Sequence, residues 1–200
     1  MKKQALLPAS IGVKFLNKKF CSQSGSTLLE LMAVILIIAI TAAMSMPLLQ
    51  EQIAAREIDA IARRFISHAH FSRQQALHVG QSVQLIPLKG GPWEEGWVVQ
   101  SGCSTKQAES SCQPKRWFSQ GRIEPVYFKG GGSQFTDPHS GKRGILFNAA
   151  GAAKTGQGGF VANRLILGHQ RVPHLERQMI LGSGGRWRIC DPSRDSKRCH

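Results

Sequence analysis

Acidic residues are scarce in this 200-residue chain. Asp and Glu number 12 against 26 Lys and Arg, a formal charge of +14. The shortage is total before Gly25, where Lys2, Lys3, Lys14, Lys18 and Lys19 meet no acid at all. A segment so basic ahead of an apolar run stays on the cytoplasmic side of a bilayer, which sends the rest of the chain across. Residue sets that carry enzyme chemistry are also missing. Leu181-Gly182-Ser183-Gly184-Gly185 lacks the first Gly of a nucleophile elbow. The stretch from Gly151 to Gly156 has the flavour of a phosphate-binding loop, but Gln157 stands where its Lys is required. His68 and His70 are two apart on a predicted helix, so they face different directions and make a poor metal pair. No two cysteines have the spacing of a zinc knuckle. These gaps argue against an enzyme, and no catalytic residue, metal or cofactor is expected. Helix and strand patterns do not alternate, which excludes a doubly wound parallel sheet, and no internal repeat is visible.

What is present starts with a long apolar run. From Leu28 to Leu49 nearly every residue is Leu, Ile, Val, Met or Ala. At about 1.5 Å per residue, a helix of that length crosses a hydrocarbon core of roughly 30 Å. Glu30 interrupts it, and a charge inside a bilayer costs about 2.5–3.5 kcal/mol or more, so a functional reason is required. After Pro47, which removes one internal hydrogen bond, the pattern turns amphipathic. Ala54, Ile58, Ile61, Phe65, Ala69, Ser72 and Ala76 recur in steps of three and four and predict one buried face. Arg56, Glu57, Arg63, Arg64 and Arg73 lie off that stripe, and Asp59 is placed to pair with Arg63 one turn on. The pattern predicts a single helix from about Thr27 to Val79, ended by Gly80.

Beyond Gly80 the period shortens. Ser82–Pro87, Gly96–Gln100, Val126–Phe128, Gly144–Asn148, Arg164–Gly168, Arg177–Leu181 and Arg186–Cys190 are strand candidates, separated by Gly, Pro, Ser and Asn. Polar stretches at Ser101–Lys115 and Lys129–Arg143 interrupt them. The fold class is α+β: a long N-terminal helix, transmembrane over 26–49 and amphipathic over 50–80, packed on an all-β domain over 81–190. A basic tail follows over 191–200.

The sequence around the apolar run resembles type IV pilins and type II secretion pseudopilins. Gly25, Thr27, Leu28 and Glu30 match the pattern at which a prepilin peptidase cuts. The resemblance implies a leader over 1–25, cleavage between Gly25 and Ser26, and a mature chain of charge 14 − 5 = +9. Ser26 stands where the family usually has Phe, the residue whose new amine is methylated. The resemblance also gives Glu30 a role in fibre assembly, neutralising the new amine of a neighbouring subunit, and implies a pilin-like fold anchored in the inner membrane with other pilins or pseudopilins as partners. Cys21 leaves with the leader. Cys103, Cys112, Cys190 and Cys199 remain, an even set in a domain placed in the periplasm, where disulfides persist. Sequence permits three pairings, of which the local ones, Cys103–Cys112 and Cys190–Cys199, are the expected pair.

Three later motifs are similar to the GspH/FimT branch of that superfamily: Gly96-Trp97-Val98-Val99, Ile145-Leu146-Phe147-Asn148 followed by Gly151, and Gly185-Arg186-Trp187-Arg188. Basic residues cluster around the last. Arg164, Arg171, Arg177, Arg186, Arg188, Arg194, Lys197 and Arg198 face only Glu176, Asp191 and Asp195. On a strand, Arg186 and Arg188 share one face and Trp187 takes the other. Guanidinium and ammonium groups on one face suit a phosphate backbone. The FimT resemblance implies DNA contact through Arg186 and Arg188, with Arg194, Lys197 and Arg198 added by position and charge. Two functions follow as expectations: a FimT-like minor pilin that binds extracellular double-stranded DNA for uptake in natural transformation, or a GspH-like pseudopilin or pilus-tip initiator that only assembles. A strongly basic face is what separates them.

Overall fold

A computed structural model describes residues 27–102, 114–131, 144–154, 163–182 and 185–199. Gly25, Ser26, Cys103 and Cys112 lie outside the described residues, as does the side chain of Arg198. The chain divides into two compact units, Met1–Ala43 and Met44–His200.

Helix α1 spans Leu28–Val79 and contains Pro47. Its first turn is closed by Thr27, whose Oγ1 accepts the Glu30 backbone N–H at 3.3 Å. Thr27 thereby caps the helix, satisfying one of its free N-terminal donors. In the first unit the large apolar side chains are exposed, from Leu28 through Ile40. Thr41 returns its hydroxyl to the carbonyls of Ile37 and Ile38 at 3.0 and 2.9 Å, as a hydroxyl in lipid must. Among the described residues this is the one helix long and apolar enough to cross a membrane. A single N-terminal membrane-spanning helix followed by a C-terminal globular β domain is a single-pass topology.

In the second unit, α1 buries Ala54, Ile58, Ala62, Phe65, Ala69, Ser72 and Ala76. The stripe differs from expectation at one step: Ala62 is buried and Ile61 only half-buried. Small residues above and below Phe65 let two sheets approach the helix closely. Buried Ser72 donates its hydroxyl to the His68 carbonyl at 2.8 Å, so it costs no unsatisfied donor. Gly80 follows with φ +68, the left-handed conformation that ends the helix.

The strands are β1 Val83–Pro87, β2 Trp97–Ser101, β3 Arg116–Gln120, β4 Val126–Gly131, β5 Ile145–Phe147, β6 Ala153–Lys154, β7 Asn163–His169, β8 Glu176–Leu181 and β9 Trp187–Cys190. They form two antiparallel sheets, ordered β3-β2-β1-β5-β6 and β4-β7-β8-β9. Phe65 sits where the sheets meet the helix. The rings of Trp93 and Trp97 lie 5.3 and 5.1 Å from it and those of Phe128 and Trp187 5.9 and 5.7 Å, all edge to face. Edge-to-face pairs are each worth about 0.5–1.5 kcal/mol beyond area burial, so this one side chain couples helix and both sheets.

Candidate nucleic-acid interface

The β8–β9 connection decides how the terminal arginines are presented. Gly182 N–H donates to the Arg186 carbonyl, and Gly185 N–H to the Gly182 carbonyl, each at 2.9 Å. Gly185 has φ +75, which an L side chain adopts only under strain. A Cβ there would also stand 3.1 Å from Nη1 of Arg73, whose guanidinium reaches the turn from α1. The backbone conformation therefore favours Gly at the head of the Gly-Arg-Trp-Arg motif, and the Arg73 tip would have to shift slightly for any larger residue.

From that turn the alternation of a strand does the rest. Trp187 is buried against Phe65, while Arg186, just before β9, and Arg188 within it are exposed. In register, Trp187 opposes Leu181 and Arg188 opposes Ile180. The anchor holds the two guanidinium groups outward.

The tail is a closed loop. Cys190 and Cys199 form a disulfide, with Cα atoms 5.6 Å apart and both residues buried. Within the loop the Asp191 carboxylate accepts the Ser193 hydroxyl at 2.6 Å and its N–H at 3.0 Å. The Asp191 carbonyl accepts the N–H groups of Arg194 and Asp195. Arg177 Nη1 lies 3.0 Å from the Asp191 carboxylate and Arg194 Nε 3.6 Å. Burial alone would raise the Asp191 pKa, but the Ser193 hydrogen bonds and the charges of Arg177 and Arg194 outweigh it and hold the carboxyl below its ordinary value. Arg194 is 85% exposed in its side chain, and Lys197 is exposed on the short 3₁₀ turn Ser196–Cys199.

Two expectations are corrected here. Arg177 is not part of the exposed basic set. It is buried, with Nε 2.9 Å from Asp59 and Nη1 on the carbonyl of Glu176. Asp59 accordingly does not pair with Arg63; it takes Arg177, because the sheet brings a guanidinium into a drier position than the solvent face of α1 offers. Two more acids of α1 meet histidines. Glu57 Oε2 lies 2.6 Å from Nε2 of buried His169, whose Nδ1 accepts the Arg171 N–H, so Nε2 carries the donated proton. Glu51 meets His174 at 3.3 Å.

What sequence reasoning missed is the contribution of α1. Arg63 and His70 line an open groove beside β9 together with Arg188, and Arg73 touches the Gly185 turn. These residues precede β9 by more than a hundred positions, so only the tertiary fold joins them. His68, by contrast, belongs to the packing: its Nδ1 accepts the Trp97 Nε1–H at 2.9 Å, and its ring stacks on Phe118 at 5.2 Å. Among the described residues no cluster of His, Cys, Asp and Glu could hold a metal ion.

A family model described as the prokaryotic N-terminal methylation motif matches residues 21–46. No characterised protein sequence matches the chain significantly. Among solved structures, the type IV minor pilin FimU of Pseudomonas aeruginosa is similar, with 12% identity and a TM-score of 0.50 over 70% of this chain and 92% of that one. The minor pseudopilin EpsH of the Vibrio cholerae type 2 secretion system shares 11% identity over 69% of this chain and 99% of that one, with a TM-score of 0.48. The fold is thus pilin-like: a long N-terminal helix packed against antiparallel sheets.

Proposed function

We propose that the protein is a minor pilin that binds extracellular DNA through its terminal basic face. In this reading a prepilin peptidase removes residues 1–25. Ser26 then becomes the new N-terminus, Glu30 meets the amine of a neighbouring subunit, and the β domain stands in the periplasm. The methylation-motif match over residues 21–46 supports the processing step, and the pilin-like fold supports assembly with other pilins or pseudopilins.

One observation carries the DNA reading. Trp187 is locked into the core between two exposed arginines, Arg186 and Arg188, on a sheet edge followed by a disulfide-closed loop bearing Arg194 and Lys197. Phosphate contacts of this kind confer affinity without sequence preference. The full chain in detergent should retard unrelated duplexes alike in a gel shift at low salt. Wild-type protein that leaves them unretarded points instead to a subunit that only assembles, as in a secretion pseudopilus.

A further inference from the structure

We infer that the groove between α1 and β9 is the second wall of the nucleic-acid interface and seats one phosphodiester strand. The inference rests on the DNA reading above and extends it to the helix. The groove has a volume of about 770 Å³. Arg63 and His70 stand along its α1 side and Arg188 along its β9 side. Its floor is apolar, made by Ile66, Phe71 and Ile189.

The groove carries charge of one sign. On α1, Asp59 lies one turn before Arg63 but is taken by buried Arg177, and Glu57 and Glu51 meet His169 and His174. Among the described residues no carboxylate lines the groove. Arg63 has no ion-pair partner among the described residues.

Arg63 and Arg188 are the charged groups on the lining, and Ser67, His70 and Gln74 add polar side chains that can both donate and accept. A phosphodiester supplies the anionic acceptors that two guanidinium groups take best. The apolar floor is of the kind that takes sugar and base faces in strand-binding grooves. From Arg63 to Gln74 the helix advances about 16 Å, which gives the groove the length for a short run of phosphates on one strand. That strand can belong to a duplex or stand alone.

The test is fluorescence anisotropy on the full chain in detergent, with a labelled single strand and a labelled duplex of equal length at several salt concentrations. Arg63→Gln should weaken binding roughly threefold to tenfold and shallow the salt slope by about 0.9 for duplex or 0.7 for single strand. Gln74→Glu, which places a carboxylate in the groove at an exposed position, should weaken it further. Arg56→Gln removes the same charge from α1 outside the groove and should do far less. Greater loss for one probe identifies whether the strand is free or part of a duplex, and either supports the inference. Arg63→Gln and Gln74→Glu proteins that bind like wild type, while Arg186→Gln with Arg188→Gln does not, overturn the groove and leave the terminal face standing. Wild-type protein that binds neither probe removes both. Poly-glutamate that displaces the strand more readily than unlabelled DNA of equal charge assigns the groove to an acidic protein, also against the inference.

Discussion

Arg177 and Asp59 meet at 2.9 Å, joining residues 118 positions apart. The same guanidinium reaches Asp191 at 3.0 Å. One buried side chain therefore ties the second sheet to α1 and the base of the tail loop to both.

Removing that guanidinium should expose its structural weight. Arg177→Met keeps much of the volume but strips Asp59 of its cation and leaves Asp191 only the longer Arg194 contact, which costs about 2–3 kcal/mol. Tryptophan-fluorescence melting of the detergent-solubilised chain should show a lower midpoint. Adding Asp59→Leu should recover part of the loss, since the stranded charge on the helix is then gone.

Acid should loosen the tail, which is fully stabilised at neutral pH. The folded Asp191 pKa lies below its ordinary value of 3.8. The unfolded chain binds its proton first as pH drops, so the stabilisation is complete above about 3.8 and disappears as pH falls through the lower folded value. Urea midpoints between pH 6 and 2 should fall across that window. Asp191→Asn should flatten that part of the profile.

Gly185→Ala separates backbone strain from contact. Its φ of +75 costs about 1–2 kcal/mol for an L residue. The added Cβ also meets Arg73 at 3.1 Å. The variant should melt earlier than wild type. A background of Arg73→Ala should restore only the contact part, whereas full restoration would mean that the turn tolerates Ala.

Processing is checked at the N-terminus. Mass spectrometry of membrane-extracted protein should find Ser26 first, and a mature species still beginning at Met1 would rule cleavage out. Non-reducing peptide maps of the same material should link Cys103 to Cys112 alongside Cys190 to Cys199.

Much of this fold is legible in local pattern. The helix runs Leu28–Val79 against an expected Thr27–Val79, because hydrophobic period and the Gly80 stop are both local. Each expected strand forms. β3 and β6 escape notice for different reasons: β3 is an edge strand whose side chains are mostly exposed, so it shows no buried alternation, and β6 has only 2 residues. Ile61 gives way to Ala62 because contact with two close sheets selects the small residue at the centre of the face. Arg186 and Arg188 are readable from the two-residue period of a strand. The α1 side of the basic face is not, since Arg63, His70 and Arg73 acquire their neighbours only when β9 packs beside the helix. For the same reason an i, i+4 rule assigns Asp59 to Arg63, while the folded chain assigns it to Arg177.

In the proposed function Arg186 and Arg188 bind a phosphate backbone while Trp187 holds them in place. The most direct test of that claim is the salt dependence of duplex binding by the full chain in detergent, wild type against Arg186→Gln with Arg188→Gln. Two lost phosphate contacts should weaken binding to every sequence alike and reduce the slope of log K against log salt by about 1.8, twice the ~0.9 per contact, with an unchanged melting midpoint. A folded double variant with wild-type affinity and slope would contradict the claim.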